Sequence, residues 1–292
     1  MRYIEKDMTN PIARGRLELA NYRTDVDSSI ALKKGSAYTS AKYGHDIIRD
    51  ELNDLYFDKC AFCETSIKPA ATPNVEHFRP KASISGVNDN GYYWLGYEWS
   101  NLLLACPACN GAKGTKFPLH TGTHIINHPA DALGNIDYAQ FPQYQGYLTK
   151  ERPLLINPEY WKPEKLMYFD YFCKLRPIKN NILAITTIEE IKLNRIPLII
   201  DRQSKVDEIV IRIEQQICAR YGSDPLTDNQ YRYQLNLIFK DIISRLDKTA
   251  EYTLLGRCMI ERFDEIILED IEPEFHKEIT DHFIDFLNNI LI

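Results

Sequence analysis

The sequence predicts an α+β fold that is mostly α. Two C-x-x-C pairs frame a short strand-rich region, and helical periodicity dominates everything after about residue 186. A third observation is one amphipathic stretch that leads straight into the first cysteine pair. Hydrophobic residues make up 44% and charged residues 26%, the balance of a chain that buries a sizeable core in water.

Four segments follow in order. Residues 1–58 read as helix and loop. In "GHDIIRDELNDLYFDKC", Ile47, Ile48, Leu52, Leu55 and Tyr56 fall near helical spacing. Residues 59–119 read as a compact core, with strand signals in "NVEHF" and "GYYWLGY". Residues 120–185 read as an irregular connector packed on that core. Pro, Gly, Asn and aromatics punctuate its first part, and prolines hold "RPLLINPEYWKP" extended. Residues 186–292 read as a helical domain, a possible docking region for a partner. "TTIEEI" offers Thr187 as an N-cap with Glu190 three residues on. Apolar stripes then predict helices over Ile199–Ile217, Asn229–Leu246, Leu254–Ile267 and Phe275–Leu291.

Charge and composition exclude several classes. No run approaches the length of a membrane-spanning helix, so no membrane partner is expected. The first twenty residues lack the apolar centre of a signal peptide, which points to the cytoplasm. A net charge of −6 does not suit a protein that coats nucleic acid by bulk charge. From Cys60 to His120 the balance is different: Lys68, Arg79, Lys81, Lys113 and Lys116 outnumber Glu64, Glu76, Asp89 and Glu98.

An odd number of cysteines, seven, argues against a disulfide framework. Cys173, Cys218 and Cys258 stand alone and read as buried thiols. Cys60 and Cys63, with Cys106 and Cys109, are the two C-x-x-C pairs. Each such turn aims two thiolates at one point, and two turns supply a tetrahedral zinc site. All four positions are filled by protein, so this zinc is structural. A redox reading lacks the accompanying βαβ pattern. The 42 residues between Cys63 and Cys106 exceed the usual ribbon spacing and must hold something folded.

Inside that gap, and just after it, lie Glu76, His77, Arg79, Lys81, Asn101, Asn110 and Lys113. A histidine beside an apolar strand is commonly a structural residue. Here the thiolates bring it near the turn after Cys109, where Asn110 is expected to open a short helix and place Lys113 at an anion-favouring end. The spacing of His120, His124 and His128 would suit helical metal ligands, but Gly122 and Pro129 argue against a helix there. Tyr92, Tyr93, Trp94, Tyr97 and Trp99 could stack on bases, but read more simply as the core of a small hairpin.

The string "C-x-x-C-E … V-E-H-F-R-P-K … W-S-N-L-L-L-A-C-x-x-C-N-x-x-K-G" resembles the zinc-containing HNH endonucleases with their ββα-metal core. With "IIRDELNDLYFDKCAFCE", "PLLINPEYWKPEKLMYF" and "IKLNRIPLI", residues 45–205 look like the HNH component of Septu-type anti-phage systems, which also accompanies some retrons. The resemblance implies a nucleic acid hydrolase with His77 as general base. It implies Glu76 and Asn110 as ligands of a catalytic Mg²⁺ or Mn²⁺. Asn101 would fix the backbone near His77, and Lys113, Arg79 and Lys81 would hold phosphate. It also implies an ABC- or OLD-type ATPase partner and, in the retron setting, a reverse transcriptase with its DNA–RNA product. DNA is the expected substrate. An RNA-cleaving nuclease and a non-catalytic zinc-knuckle adaptor are the alternatives. One difficulty is visible in the sequence: adjacent residues of a regular strand point to opposite faces, so Glu76 and His77 share a site only if the strand bends or ends there.

Overall fold

The computed structural model describes residues 1–19, 22–35, 38–67, 72–87, 89–143 and 146–290. Lys68 and Leu291 fall outside the described residues. Among the described residues helices dominate, with two small antiparallel sheets. The chain divides into two units. One holds Arg2–Leu166 with Lys179–Leu193, and the other holds Met167–Ile178 with Asn194–Ile292, Met1 being grouped with the second. This division differs from a break at residue 186. Segment 167–178 groups with the later helices, and 179–193 with the earlier part of the chain.

In the first unit, α1 (Pro11–Leu19), α2 (Tyr22–Leu32) and α3 (Ser40–Tyr43) precede α4 (Asp46–Tyr56). The side chain of His45 caps α4, and Ile48, Leu52 and Tyr56 form its buried stripe. The helix ends at Phe57, which takes a left-handed conformation. Next comes the turn carrying Cys60 and Cys63. Strand β1 (Asn74–His77) then pairs antiparallel with β2 (Leu102–Ala105), setting Glu76 opposite Leu103 and His77 opposite Leu102. Helix α5 (Pro107–Lys113) follows β2 directly. Strand, strand and helix thus come in that order, with residues 78–101 as a long excursion between the strands.

That excursion is not a hairpin. Residues 91–98 form successive turns, closed by Leu95 N–H to the Tyr92 carbonyl and Glu98 N–H to the Leu95 carbonyl. The expected strand over "GYYWLGY" is absent because consecutive aromatics all turn inward. Tyr92, Tyr93, Trp94, Tyr97 and Trp99 are each buried. Trp94 packs edge-on to Phe141 at 4.8 Å, and Tyr92 to Phe117 at 5.5 Å. Gly96 is required here, since a Cβ would lie 2.3 Å from the Tyr38 ring.

A buried ion pair anchors the N-terminal segment. The Lys6 ammonium lies 3.1 Å from Glu159 and also donates to the carbonyls of Trp99 and Leu102. Tyr56 donates to the same carboxylate at 2.6 Å. Helix α6 (Ile182–Glu190) starts five residues before Thr187, capped instead by Asn181. Thr187 sits inside the helix, and its hydroxyl accepts the Ile156 N–H at 2.8 Å. A hydroxyl that serves a neighbouring segment imitates a cap in the sequence.

The second unit joins a hairpin, β3 (Met167–Phe169) and β4 (Leu175–Pro177), to α7 (Ile196–Tyr221), α8 (Asp228–Ser244), α9 (Thr253–Glu261) and α10 (Pro273–Ile290). Leu198, Val206, Ile209, Val210, Ile213 and Ile217 are the buried apolar residues of α7. A genuine capping box, Thr227 with Gln230, opens α8. After α9 a π-helical turn, Asp264–Leu268, sets Phe263 against Phe283 at 4.1 Å. Cys173 and Cys258 are buried as expected, but Cys218 is exposed, because it sits one residue past Ile217 and so off the buried stripe of α7. No helix among the described residues is long and apolar enough to cross a membrane.

Breaking a buried pair leaves one uncompensated charge, which costs about 3–5 kcal/mol. Glu159→Gln is therefore expected to lower unfolding free energy by about that amount, read from urea denaturation. A loss below about 1 kcal/mol would show that the pair is not buried as described.

Candidate metal centre and active site

The four thiols meet at one point. Ligand atoms of Cys60, Cys63, Cys106 and Cys109 all lie within 4.8 Å of one another. Local backbone bonds shape both turns. Cys60 N–H donates to the Thr65 carbonyl, Glu64 N–H to the Cys60 carbonyl, and Glu64 takes φ 62° to close the first turn. The second turn is the start of α5, with Cys106 as N-cap and Pro107 at the first helical position. Ala61 N–H donates to the Leu104 carbonyl at 2.8 Å, so the first turn docks on β2 beside the second.

The donor set fits a zinc ion. Cys63 Sγ and Cys106 Sγ are 3.8 Å apart. A tetrahedron with Zn–S bonds of about 2.3 Å has edges of about 3.8 Å. Hydrogen bonds from Cys106, Cys109 and Cys60 hold the Cys63 thiol well below its ordinary range, whereas burial pushes Cys60 well above it. Four packed thiols cannot all ionise without a cation among them. This buried cluster can therefore hold a zinc ion.

On β1 and α5, Glu76, Asn110 and Lys113 converge. The Glu76 carboxylate accepts from Asn110 Nδ2 at 2.6 Å and from Lys113 Nζ at 2.7 Å. Lys113 Nζ also donates to the His77 carbonyl at 2.8 Å. Burial raises the Glu76 pKa, and the Lys113 ammonium opposes that shift. The expected helix start at Asn110 is corrected. Helix α5 begins at Pro107, so Asn110 lies in its middle and Lys113 in its last turn. Lys113 is fully buried and reaches back to β1, rather than standing at an anion-binding helix end.

His77 has separate partners, as alternation along a strand demands. Its Nε2 lies 2.9 Å from the Gly96 carbonyl, and its ring packs edge-on to Tyr43 at 4.8 Å. A carbonyl can only accept, so Nε2 carries the proton and Nδ1 keeps its lone pair. Burial lowers the His77 pKa to about 3, against the opposing pull of the Gly96 hydrogen bond. The ring is therefore neutral at neutral pH, well below the near-working-pH value expected of an exposed histidine. Gly96 and Tyr43 were not singled out in the sequence. Gly96 carries no side chain to flag it, and Tyr43 acts through position alone.

Asn101 locks the exit from β1. It is fully buried, its Oδ1 accepts the Arg79 N–H at 2.8 Å, and its Nδ2 donates to the Arg79 carbonyl at 3.0 Å and the Leu95 carbonyl at 3.3 Å. Gln143 donates to the same Oδ1. Arg79 is not presented to a phosphate. Its guanidinium is buried, paired with Glu151 at 2.8 Å and bonded to Gln143. The connector supplies both partners, and nothing local to "HFRPK" announces them. Lys81 is half-buried, with its ammonium 5.5 Å from the Tyr43 ring centroid, and burial lowers its pKa.

Two outcomes are expected. The purified chain should contain one zinc by elemental analysis. Cys60→Ser with Cys109→Ser should abolish it and lower the melting temperature by more than about 5 °C. A metal-free wild type with an unchanged melting curve would refute the zinc reading. Asn101→Ala should cost about 2–4 kcal/mol in denaturation, because both backbone groups of Arg79 lose buried partners.

Comparison with known proteins gives three partial relatives. The chain is 32% identical over 115 residues to Septu protein PtuB of Bacillus mycoides (strain KBAB4), covering 36% of this chain and 39% of that protein. It is 28% identical over 163 residues to Septu protein PtuA of the same strain, covering 54% of this chain and 20% of that protein. It is 35% identical over 74 residues to a Septu protein PtuB of Bacillus thuringiensis, covering 25% of this chain and 26% of the relative. The chain thus spans well under half the length of each. No family model matches the chain, and no solved structure matches it.

Proposed function

We propose that this chain is a metal-dependent HNH endonuclease that hydrolyses phosphodiester bonds, with DNA as its substrate. The observation that carries the reading is the meeting of Glu76 and Asn110 at 2.6 Å, on β1 and α5, next in sequence to His77. In this reading β1, β2 and α5 are the ββα core, and the four-thiol site holds structural zinc. Similarity to Septu proteins PtuB and PtuA supports a role in anti-phage defence. An ATPase partner, of the ABC or OLD type that the sequence resemblance implies, completes the proposal; a retron reverse transcriptase and its product are partners only in that variant of the system.

The carboxylate of Glu76 and the carboxamide oxygen of Asn110 are hard oxygen donors, which suit Mg²⁺ or Mn²⁺. Such a cation, when bound, supplies charge to stabilise the phosphorane-like transition state and the departing oxygen. Every other task falls to the chain's own groups. Lys113 holds the Glu76 carboxylate and the His77 carbonyl, fixing the end of β1. Gly96 fixes the proton on His77 Nε2 and burial keeps the ring neutral, so the Nδ1 lone pair is open to a proton from the attacking water, although the same burial weakens it as a base. Asn101 keeps the Arg79 backbone, and so the strand end, from moving. Lys81 is the phosphate-holding candidate, whereas Arg79 acts as a structural anchor through Glu151.

Incubation of the chain with its partner, plasmid DNA and Mg²⁺ or Mn²⁺ tests this reading. His77→Ala should lower the cleavage rate about 10²–10⁴-fold, the usual worth of a positioned base. Glu76→Ala should lower it at least as far while zinc content is retained. Equal cleavage by His77→Ala and wild type would remove His77 from the mechanism. Absence of any divalent-dependent cleavage, with tight nucleic acid binding, would favour the adaptor.

A further inference from the structure

A cleft lies beside Asn110. It encloses about 620 Å³ and opens to solvent. The corner between α3 and α4 supplies one wall with Tyr43, His45 and Arg49, and β1 and α5 supply the other with Asn74 and Asn110. Of these five, only Asn110 stands out in the sequence.

The wall is rich in donors. His45 Nδ1 accepts the Ile47 N–H at 3.3 Å, so the neutral ring keeps its proton on Nε2, which is then a donor. Arg49 bonds Asp46 at 3.0 Å, but the Asp46 side chain is 83% exposed and the Arg49 side chain 32%. Exposed pairs of this kind are weak and easily exchanged. The Arg49 Nε is buried and has no hydrogen-bond partner among the described residues. Among the described residues Asp46 is the one acidic side chain lining the cleft, and an incoming anion competes with it for Arg49. Lys42 is not available to the cleft, since it is held by Asp25. Tyr43 ties the cleft to the proposed base, its ring 4.8 Å from that of His77.

We propose that this cleft receives a backbone phosphate of the nucleic acid strand, held by the Arg49 guanidinium with His45 as a second donor. The proposal extends the nuclease reading by naming where the strand lies, and it is tested by binding rather than by cleavage. Arg49 is the residue of choice because its planar fork matches phosphate oxygens.

The experiment uses the full chain without added divalent cation and a fluorescein-labelled DNA oligonucleotide, with anisotropy read between about 50 and 200 mM salt. Arg49→Gln should weaken binding about three- to tenfold at the low-salt end and reduce the slope of log affinity against log salt by about one. Arg49→Lys should recover most of the slope, since a charge is kept. Zinc content and melting temperature of each variant are measured alongside. Wild-type affinity and slope in Arg49→Gln would overturn the proposal, as would a loss of binding that appears only with a loss of zinc. Failure of wild type to bind the oligonucleotide would overturn it too. The two readings separate cleanly: Arg49-dependent binding without Mg²⁺-dependent cleavage sinks the nuclease and keeps the cleft, whereas cleavage with Arg49-independent binding does the reverse.

Discussion

Convergence of four thiols from turns 42 residues apart is the constraint on which the site depends. Strands β1 and β2 are four residues each, and a two-stranded sheet of that length is marginal in water. Helix α5 has seven residues, too few to persist on propensity alone. Neither element explains its own stability. The thiol cluster supplies it from outside, because its first turn is bonded to β2 through Ala61 and its second turn is the cap of α5. A cation at the cluster would convert mutual repulsion among four thiolates into a bond network that closes the gap.

The other end of α5 is tied as well. Lys113 reaches from the last turn to the Glu76 carboxylate and the His77 carbonyl. A buried ammonium is costly unless paired and hydrogen-bonded, and here it is both. The pairing explains how a carboxylate can sit buried beside a neutral imidazole. It also explains why Lys113 is closer to a structural cation than to the phosphate-holding lysine suggested by its spacing from Asn110.

The sequence showed what is local and periodic. Four cysteines at two fixed spacings announced their own meeting, and the stripes of α4, α7, α8 and α10 announced their helices. It hid whatever depends on distant partners. The resemblance makes Arg79 of "HFRPK" a phosphate holder, but Glu151 and Gln143, supplied by the connector, enclose it. Thr187 reads as a cap until Ile156 is found donating to it. The aromatics of "GYYWLGY" have strand propensity, yet tertiary burial of every ring overrides it, and Gly96 permits the close approach of Tyr38. Glu76 and His77 take separate side-chain partners, Asn110 and Lys113 for the first and the Gly96 carbonyl and the Tyr43 ring for the second, and the strand ends at His77.

Spacing along α5 connects these observations. Cys106 and Asn110 are four residues apart, as are Cys109 and Lys113, so each pair follows one side of the helix surface. A rotation of α5 that moved Asn110 off Glu76 would also drag Cys106 and Cys109 away from Cys60 and Cys63. The thiol cluster therefore sets the rotation of α5, the rotation sets Asn110 against Glu76, and β1 carries His77 as the next residue. Side-chain placement at the proposed catalytic centre is in this way inherited from the folding centre through a helix of two turns. The cleft wall formed by His45 and Arg49 has a different origin, since α4 is amphipathic and anchored by its own buried stripe. The two walls of the cleft thus have different supports, β1 and α5 on one side and α4 on the other, and substitutions at Arg49 alter only the α4 wall.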